Sequence, residues 1–450
     1  MPIAVVREEA RETVVHGDYE VVVLGGGPAG IAAATAAARS GRSTVLVERY
    51  GFLGGAGTAA GLSNFCGLHA NVRGEHRQVV RGVACEIQDR LRALAGLNEP
   101  HAILGNRIQA QAYDISAYKI AADELLAAAG VKTLFHALGA GVAMQSGRRI
   151  DALLLESKSG RRAIRGRWFI DASGDADLAS WAGVRCEVGD GNGNMLYPST
   201  MFRINGVDPQ KAGNAWESIT KRMEEAERGG RRFPRKGVIL RPQKNPIEWR
   251  ANVTQVRNPD GSAVSGIDLE QLSYGEIEGR RQCKEMFEFI RTAPGFERSY
   301  IVEIAPQLGI RETRRIEGEY SLSEADILGC ADFDDTIGVQ GWPVEQHAEG
   351  RVDWRFQEPG TRGYNQLPYR MIVPQGVDNL LVAGRCASMT HDGQSAARVS
   401  GGCFVMGQAA GTLAALAGSE CALRDVPVEA LRSALRGDGA WLGDGPPPPP

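Results

Sequence analysis

Six residues near the start, Gly25-Gly-Gly-Pro-Ala-Gly30, dictate what must surround them. Before them, Tyr19-Glu-Val-Val-Val-Leu24 is a short β-branched run of the kind buried in parallel sheets. After them, Ile31 to Ser40 is alanine-rich and helix-prone, and Ser43-Thr-Val-Leu-Val47 reads as a second strand ending at Glu48. In such a strand, GxGxxG, helix, strand, acid series, Gly25 permits the tight turn. Gly27 lets the backbone approach a pyrophosphate, and Gly30 lets helix and strand pack closely. Pro28 and Ala29 complete the loop, and the helix N-terminus behind it carries about half a positive charge toward the phosphates. Glu48, 18 residues after Gly30, is placed to accept from ribose hydroxyls. The unit predicts dinucleotide binding. Val21 to Ala38 is uncharged for 18 residues, enough to be mistaken for a membrane span, but the glycines divide it into strand, turn and helix.

After the acid comes Arg49-Tyr-Gly-Phe-Leu-Gly-Gly-Ala-Gly-Thr58. It resembles the second phosphate and ribityl contact of the large FAD-binding family related to glutathione reductase, with Gly54, Gly55 and Thr58 as the contacts and Arg49 beside them. Arg167-Trp-Phe-Ile-Asp171, running into Ala-Ser-Gly-Asp-Ala-Asp-Leu-Ala179, resembles that family's mid-chain motif and implies cofactor roles for Asp171, Gly174 and Asp175. Asp378-Asn-Leu-Leu-Val-Ala-Gly384-Arg385 resembles its final strand, where Gly384 and Arg385 would meet the ribityl chain.

Four further segments are similar to the broad bacterial FAD-dependent oxidoreductase family that includes the flavin subunit of heterodisulfide reductase. They are Gln307 to Gly318, Leu367 to Pro374, Ala383 to His391 and Met406 to Thr412. With the first motif they span roughly residues 19 to 418. The resemblance implies FAD, held non-covalently, and does not specify a substrate. The cysteine-rich cluster segments of the heterodisulfide reductase member are missing here, so that activity does not carry over.

The expected fold is α/β: a Rossmann-like FAD-binding domain with a βββ meander, plus an inserted α+β substrate or cap domain. Residues 1–18 form an N-terminal extension, and 19–190 with 372–437 form the split FAD-binding domain. The cap takes 191–371, and 438–450 is a flexible proline-rich tail. Val131 to Ala137 reads as another parallel strand, and Gly141 to Arg165 as the meander. In the cap, Thr200 to Ile204 looks like the first strand, and Ala212 to Arg228 and Leu269 to Thr292 look helical. Lys221 to Lys236 reads as a solvated helix end and loop.

Several chemistries are excluded. Net charge is −3 and no basic stripe occurs, which argues against a nucleic-acid partner and against an RNA-modifying or scaffold role. The eight cysteines form no CxxC, no zinc spacing and no iron–sulfur run, and scattered thiols in a large chain suggest a reducing, cytoplasmic compartment. The charged start, Met1 to Val15, does not suit a signal peptide. A second GxGxxG is absent, so no dedicated NAD(P)H domain is expected. The expected partners are a small-molecule substrate and an acceptor that is oxygen, a quinone, a diffusible carrier or a protein. No membrane contact is expected, and a homo-oligomer stays open.

For catalysis, His391 in Met389-Thr-His-Asp-Gly-Gln394 stands first, because an imidazole takes protons near neutral pH and the segment should border the flavin. Asp392 is the alternative base or the group that orients it. Arg398, Arg311 and Arg370 are candidates for holding an anionic group, with Arg314 and Arg315 pairing instead with Glu312 or Glu317. Gly401 and Gly402 should open the helix Cys403 to Ala417, whose N-terminus would face the reduced flavin. Cys66, Cys403, Asn64 and His69 could line the pocket, the thiols more readily as packing residues. The expected reaction is oxidation of a small CH–OH or CH–NH substrate by hydride transfer to flavin N5. The alternative is reduction of an activated C=C bond, fed by a partner or small reductant, with arginine as acid.

Overall fold

A computed structural model describes residues 5–6, 9–418 and 422–449; Cys421 and the extreme ends of both terminal segments lie outside the described residues. The chain opens with β1 (Val15–Leu24), α1 (Pro28–Arg39) and β2 (Thr44–Val47). It continues through α2 (Ile115–Ala128), β3 (Lys132–Leu134), β4 (Leu138–Ser146), β5 (Arg149–Glu156) and β6 (Arg162–Asp171). A separate unit follows: β7 (Phe202–Asn205), α3 (Ala215–Arg228), β8 (Ile239–Pro242), β9 (Trp249–Asn252), α4 (Leu269–Ile290) and β10 (Tyr300–Ile304). The return is β11 (Leu380–Val382), α5 (His391–Ala397) and α6 (Ser400–Leu416).

The main sheet runs β3-β2-β1-β6-β5-β4. β1, β2, β3 and β6 are parallel neighbours, while β4 and β5 fold back antiparallel as the meander. β11 joins the C-terminal end of β6 in parallel, Phe169 to Asp171 against Leu380 to Val382. Val21, Val22 and Val23 are fully buried, as a strand covered on both faces requires. Asp114 caps α2 by accepting from the Ala117 N–H.

α1 is buried from Ala29 to Ala37 because α6 lies directly on it. A Cβ on Gly407 or Gly411 would sit 2.1 Å from the carbonyl oxygens of Ala29 and Ala33, so this glycine pair in Met406 to Thr412 is what lets the two backbones touch. Among the described residues no single helix is long and apolar enough to cross a membrane. α5 and α6 qualify only as a pair, and they meet at a 91° bend.

The second unit is a four-stranded antiparallel sheet, β8-β9-β7-β10, with its own core of Phe202, Ile219, Trp249, Met286 and Phe296. Three boundaries differ from expectation. β1 begins at Val15, because Val15 to Asp18 already pair with β6. The cap sheet ends at Ile304, and of the stretch expected to finish the cap, Leu322, Ile327, Ile337, Val339, Val344, Leu367 and Met371 pack in the α1/α6 core instead. The tail is docked: Leu442 is buried, Asp444 pairs with Arg432 and Arg436, and the Pro448 carbonyl accepts from Arg77.

Candidate functional site

A cavity of about 1920 Å³, counting the space at its mouth, starts at the Gly25 to Ala29 loop and ends under the cap sheet. Its first end is made of backbone. Gly25 has φ +102°, a region that L side chains rarely adopt, and a Cβ on Gly30 would sit 1.8 Å from the Gly25 oxygen. A Cβ on Gly55 would lie 2.8 Å from the Cα of Gly27, while one on Gly27 would meet only Gly55 Cα at 3.7 Å and otherwise fill the cavity. Gly27 caps α1 without any side-chain acceptor and no acid sits in the first turn, so the helix N-terminus is left open to an anion. Glu48 is buried on the rim. Its two oxygens accept from the Gly26 N–H at 2.7 Å and the Tyr50 N–H at 2.9 Å, and burial raises its pKa.

Gly27, Pro28, Ala29, Arg49, Gly55, Gly174, Gly384 and Arg385 also line this end. Arg385 ties the mid-chain loop to the last strand through the Gly174 carbonyl at 2.8 Å and Asp175 at 2.7 Å. Other expected cofactor residues hold the walls instead. Thr58 donates to the Leu53 carbonyl at 2.7 Å, where a Cβ on Gly54 would collide with it. Asp171 is fully buried and accepts from Ser173 and the Ala179 N–H, so it closes the loop after β6. Gly401 and Gly402 allow close approach to the Gly67 and Ala397 carbonyls; Val399 and Ser400 bring the α6 N-terminus to the cavity.

The cap end is made of side chains. Arg241, Arg250, Arg311, Arg398, Glu345 and His347 line it, with Asn64, Cys66, Tyr113, Trp342 and Trp354. Burial and a neighbouring guanidinium push Arg250 and Arg311 down to about 9, and burial also lowers Arg241 and Arg398. His347 Nε2 lies 3.1 Å from Glu345 Oε1, and the Trp342 indole N–H donates to Oε2 at 2.9 Å. Burial, then Arg311, lower His347, so its imidazole is neutral. Burial alone would raise Glu345; the His347 bond, Arg398 and Trp342 outweigh it and keep it ionised. Cys66 and Cys403 border the cavity as protonated thiols, pushed by burial up to about 11 and about 12. Ile103 and Trp216 also line a second, more open pocket.

Three catalytic expectations fail on geometry. His391 opens α5, but its ring turns to the buried Glu312 carboxylate at 3.0 Å, which also holds Arg315 and the Leu196 N–H; it does not reach the cavity. Asp392 pairs with Arg355 at 2.7 Å. Arg370 pairs with Asp335 at 3.0 Å on a half-exposed surface. Arg314 pairs with Asp177. His69 is buried but outside the cavity. Of the residues the sequence reading passed over, Glu345 and His347 had a usable signal: two residues apart on a short extended segment, they share a face. Arg241 and Arg250 had none, since only strand pairing brings them together.

A Rossmann-type glycine cradle with an uncapped helix N-terminus, continuous with a chamber under the second sheet, is the site of a dinucleotide-binding protein. The chain belongs to the FAD dependent oxidoreductase family, whose model matches residues 20–435. Its cofactor is FAD, and the glycine cradle and open α1 N-terminus fit it. No curated protein gives a significant match. Similar solved structures include a geranylgeranyl bacteriochlorophyll reductase-like protein from Thermoplasma acidophilum, at 13% identity and TM-score 0.46, covering 94% of this chain and 82% of that one. They also include p-nitrophenol 4-monooxygenase from Pseudomonas putida, at 12% and 0.48 with 96% and 90% coverage. A myxobacterial chondrochloren halogenase gives 13% and 0.45, with 93% and 78% coverage.

Proposed function

We propose that this FAD-dependent oxidoreductase oxidises a small organic substrate at a carbon bearing a hydroxyl or amine. The observation that carries the reading is the His347–Glu345 pair on the wall of the chamber, with Nε2 3.1 Å from Oε1. Bound FAD supplies the acceptor for hydride at N5. Glu345 accepts from the Nε2–H of His347, which fixes the tautomer and leaves the Nδ1 lone pair to take the O–H or N–H proton. Once protonated, the imidazolium faces Glu345, whose charge offsets it. The lining arginines orient an anionic group of the substrate, and Trp342 and Trp354, with ring centres 6.0 Å apart, exclude water. His347 thus takes the role that chain position suggests for His391.

The arginine-lined chamber also supports a second reading, reduction of an activated C=C bond with Arg250 or Arg311 as proton donor, because both hold their proton less tightly than an exposed guanidinium. Anaerobic addition of an alcohol and amine library to the purified protein separates the two. The first reading expects some member to bleach the flavin absorbance. If none does, and the dithionite-reduced enzyme is reoxidised by enoates, the direction is the reverse.

A further inference from the structure

The four arginines of the chamber are arranged as two pairs. Arg241 on β8 and Arg250 on β9 are direct cross-strand partners, a position where like charges repel. Arg311 comes from the loop after the cap sheet and Arg398 from the α5/α6 bend; after burial, the Arg398 charge is what lowers Arg311 most, with a smaller contribution from Arg250. The Glu345 carboxylate acts on all four. Four guanidinium charges against one carboxylate leave an excess of three at this end.

Their hydrogen bonding is incomplete in the same sense. Each arginine spends one terminal nitrogen on the protein. Arg241 meets His101, Arg250 the Leu62 carbonyl and Met201, Arg311 the Tyr197 carbonyl and Ser199, and Arg398 the Glu345 carbonyl. The Nε atoms of Arg241, Arg250 and Arg398 are buried without a partner. Buried guanidinium groups with spare donors are costly unless an anion meets them, and a carboxylate answers the planar fork with two parallel bonds. Arg250 is 1% exposed and Arg311 6%, so bulk water does not supply that partner.

We propose that the chamber takes a substrate with two carboxylates, one held by Arg241 and Arg250 and the other by Arg311 and Arg398. This rests on the oxidoreductase reading above, because it names the substrate class of the same site. A single-headed anion would leave one pair unanswered. Two carboxylates lower the excess charge from three to one and place the carbon between them beside His347 and Glu345.

The test is calorimetric titration of the FAD-loaded wild type, anaerobically and at matched ionic strength, with malonate, succinate and glutarate, and separately with propionate and inorganic phosphate. The expected result is that the best dicarboxylate binds at least ~10-fold tighter than propionate or phosphate. Arg398→Met should bring it to the propionate level while keeping the flavin and the melting temperature. Propionate or phosphate binding as tightly as every dicarboxylate, or no binding at all, overturns the proposal. If Arg398→Met does not fold, the wild-type selectivity decides alone. None of these probes carries a hydroxyl or amine on its chain, so their binding is read apart from that reaction. Dicarboxylate binding without oxidation of any hydroxy or amino acid would count against the reaction and not against the site.

Discussion

One cavity is built by two methods. At the dinucleotide end the ligand is met by backbone: glycines that admit it, an uncapped helix N-terminus, and two loops, one held by Thr58 and one by Asp171. At the cap end it is met by long charged side chains from four separate stretches, with spare donors. Backbone recognition needs a fixed local order of residues and so leaves a motif. Side-chain recognition needs only that the fold bring charges together, and any spacing along the chain can serve. The first end is generic for a cofactor, and the second is expected to be alterable without disturbing it.

The largest expected effect tests the cradle. Gly27→Val places its side chain in the cavity, where the neighbouring backbone leaves room, so the protein should fold with an unchanged circular dichroism spectrum yet retain less than about a tenth of the wild-type flavin, a loss of ~1.4 kcal/mol or more in binding. Normal flavin content in this variant would mean that the two ends are not built as described. The opposite variant, Arg398→Met, should keep one FAD per chain and lose turnover by ~10²-fold. Loss of flavin there would merge the two ends into one.

A smaller effect separates the burial of a histidine from its use. Burial lowers His69 to about 4, and His69 lies outside the cavity. Folded, it stays neutral where an unfolded imidazole, with its ordinary value of ~6.5, takes a proton. Its contribution is therefore complete above that value and is lost as pH falls toward the folded one. His69→Asn should flatten the acid limb of stability against pH by about 1.4 kcal/mol per pH unit, read from urea unfolding, with turnover unchanged. An unchanged slope would show that the residue is hydrated in the fold.

The same division explains what could be read in advance. The β1, turn, α1, β2 unit is local and its pattern is strong. The helix read at Leu269 to Thr292 appears as α4, from Leu269 to Ile290. The part of the expected cap from Leu322 to Met371 is not legible as core because its strands pair only with each other and pack against α6, far along the chain. Nearness to the last strand points to His391, but α5 turns its ring toward Glu312, a carboxylate 79 residues away. Arg311 and Arg398 were legible as isolated arginines beside motifs; that they meet Arg241 and Arg250 follows only from the cap sheet folding over them.

The most direct test compares His347→Asn with His391→Asn by stopped-flow reduction of the bound flavin, using the best hydroxy or amino dicarboxylate. His347→Asn should keep its flavin and reduce it ~10²–10⁴-fold more slowly than wild type. His391→Asn should reduce it at close to the wild-type rate if the protein remains folded. Wild-type reduction in His347→Asn, with the large loss appearing in folded His391→Asn, would contradict the assignment of the chemistry to the cap end of the cavity.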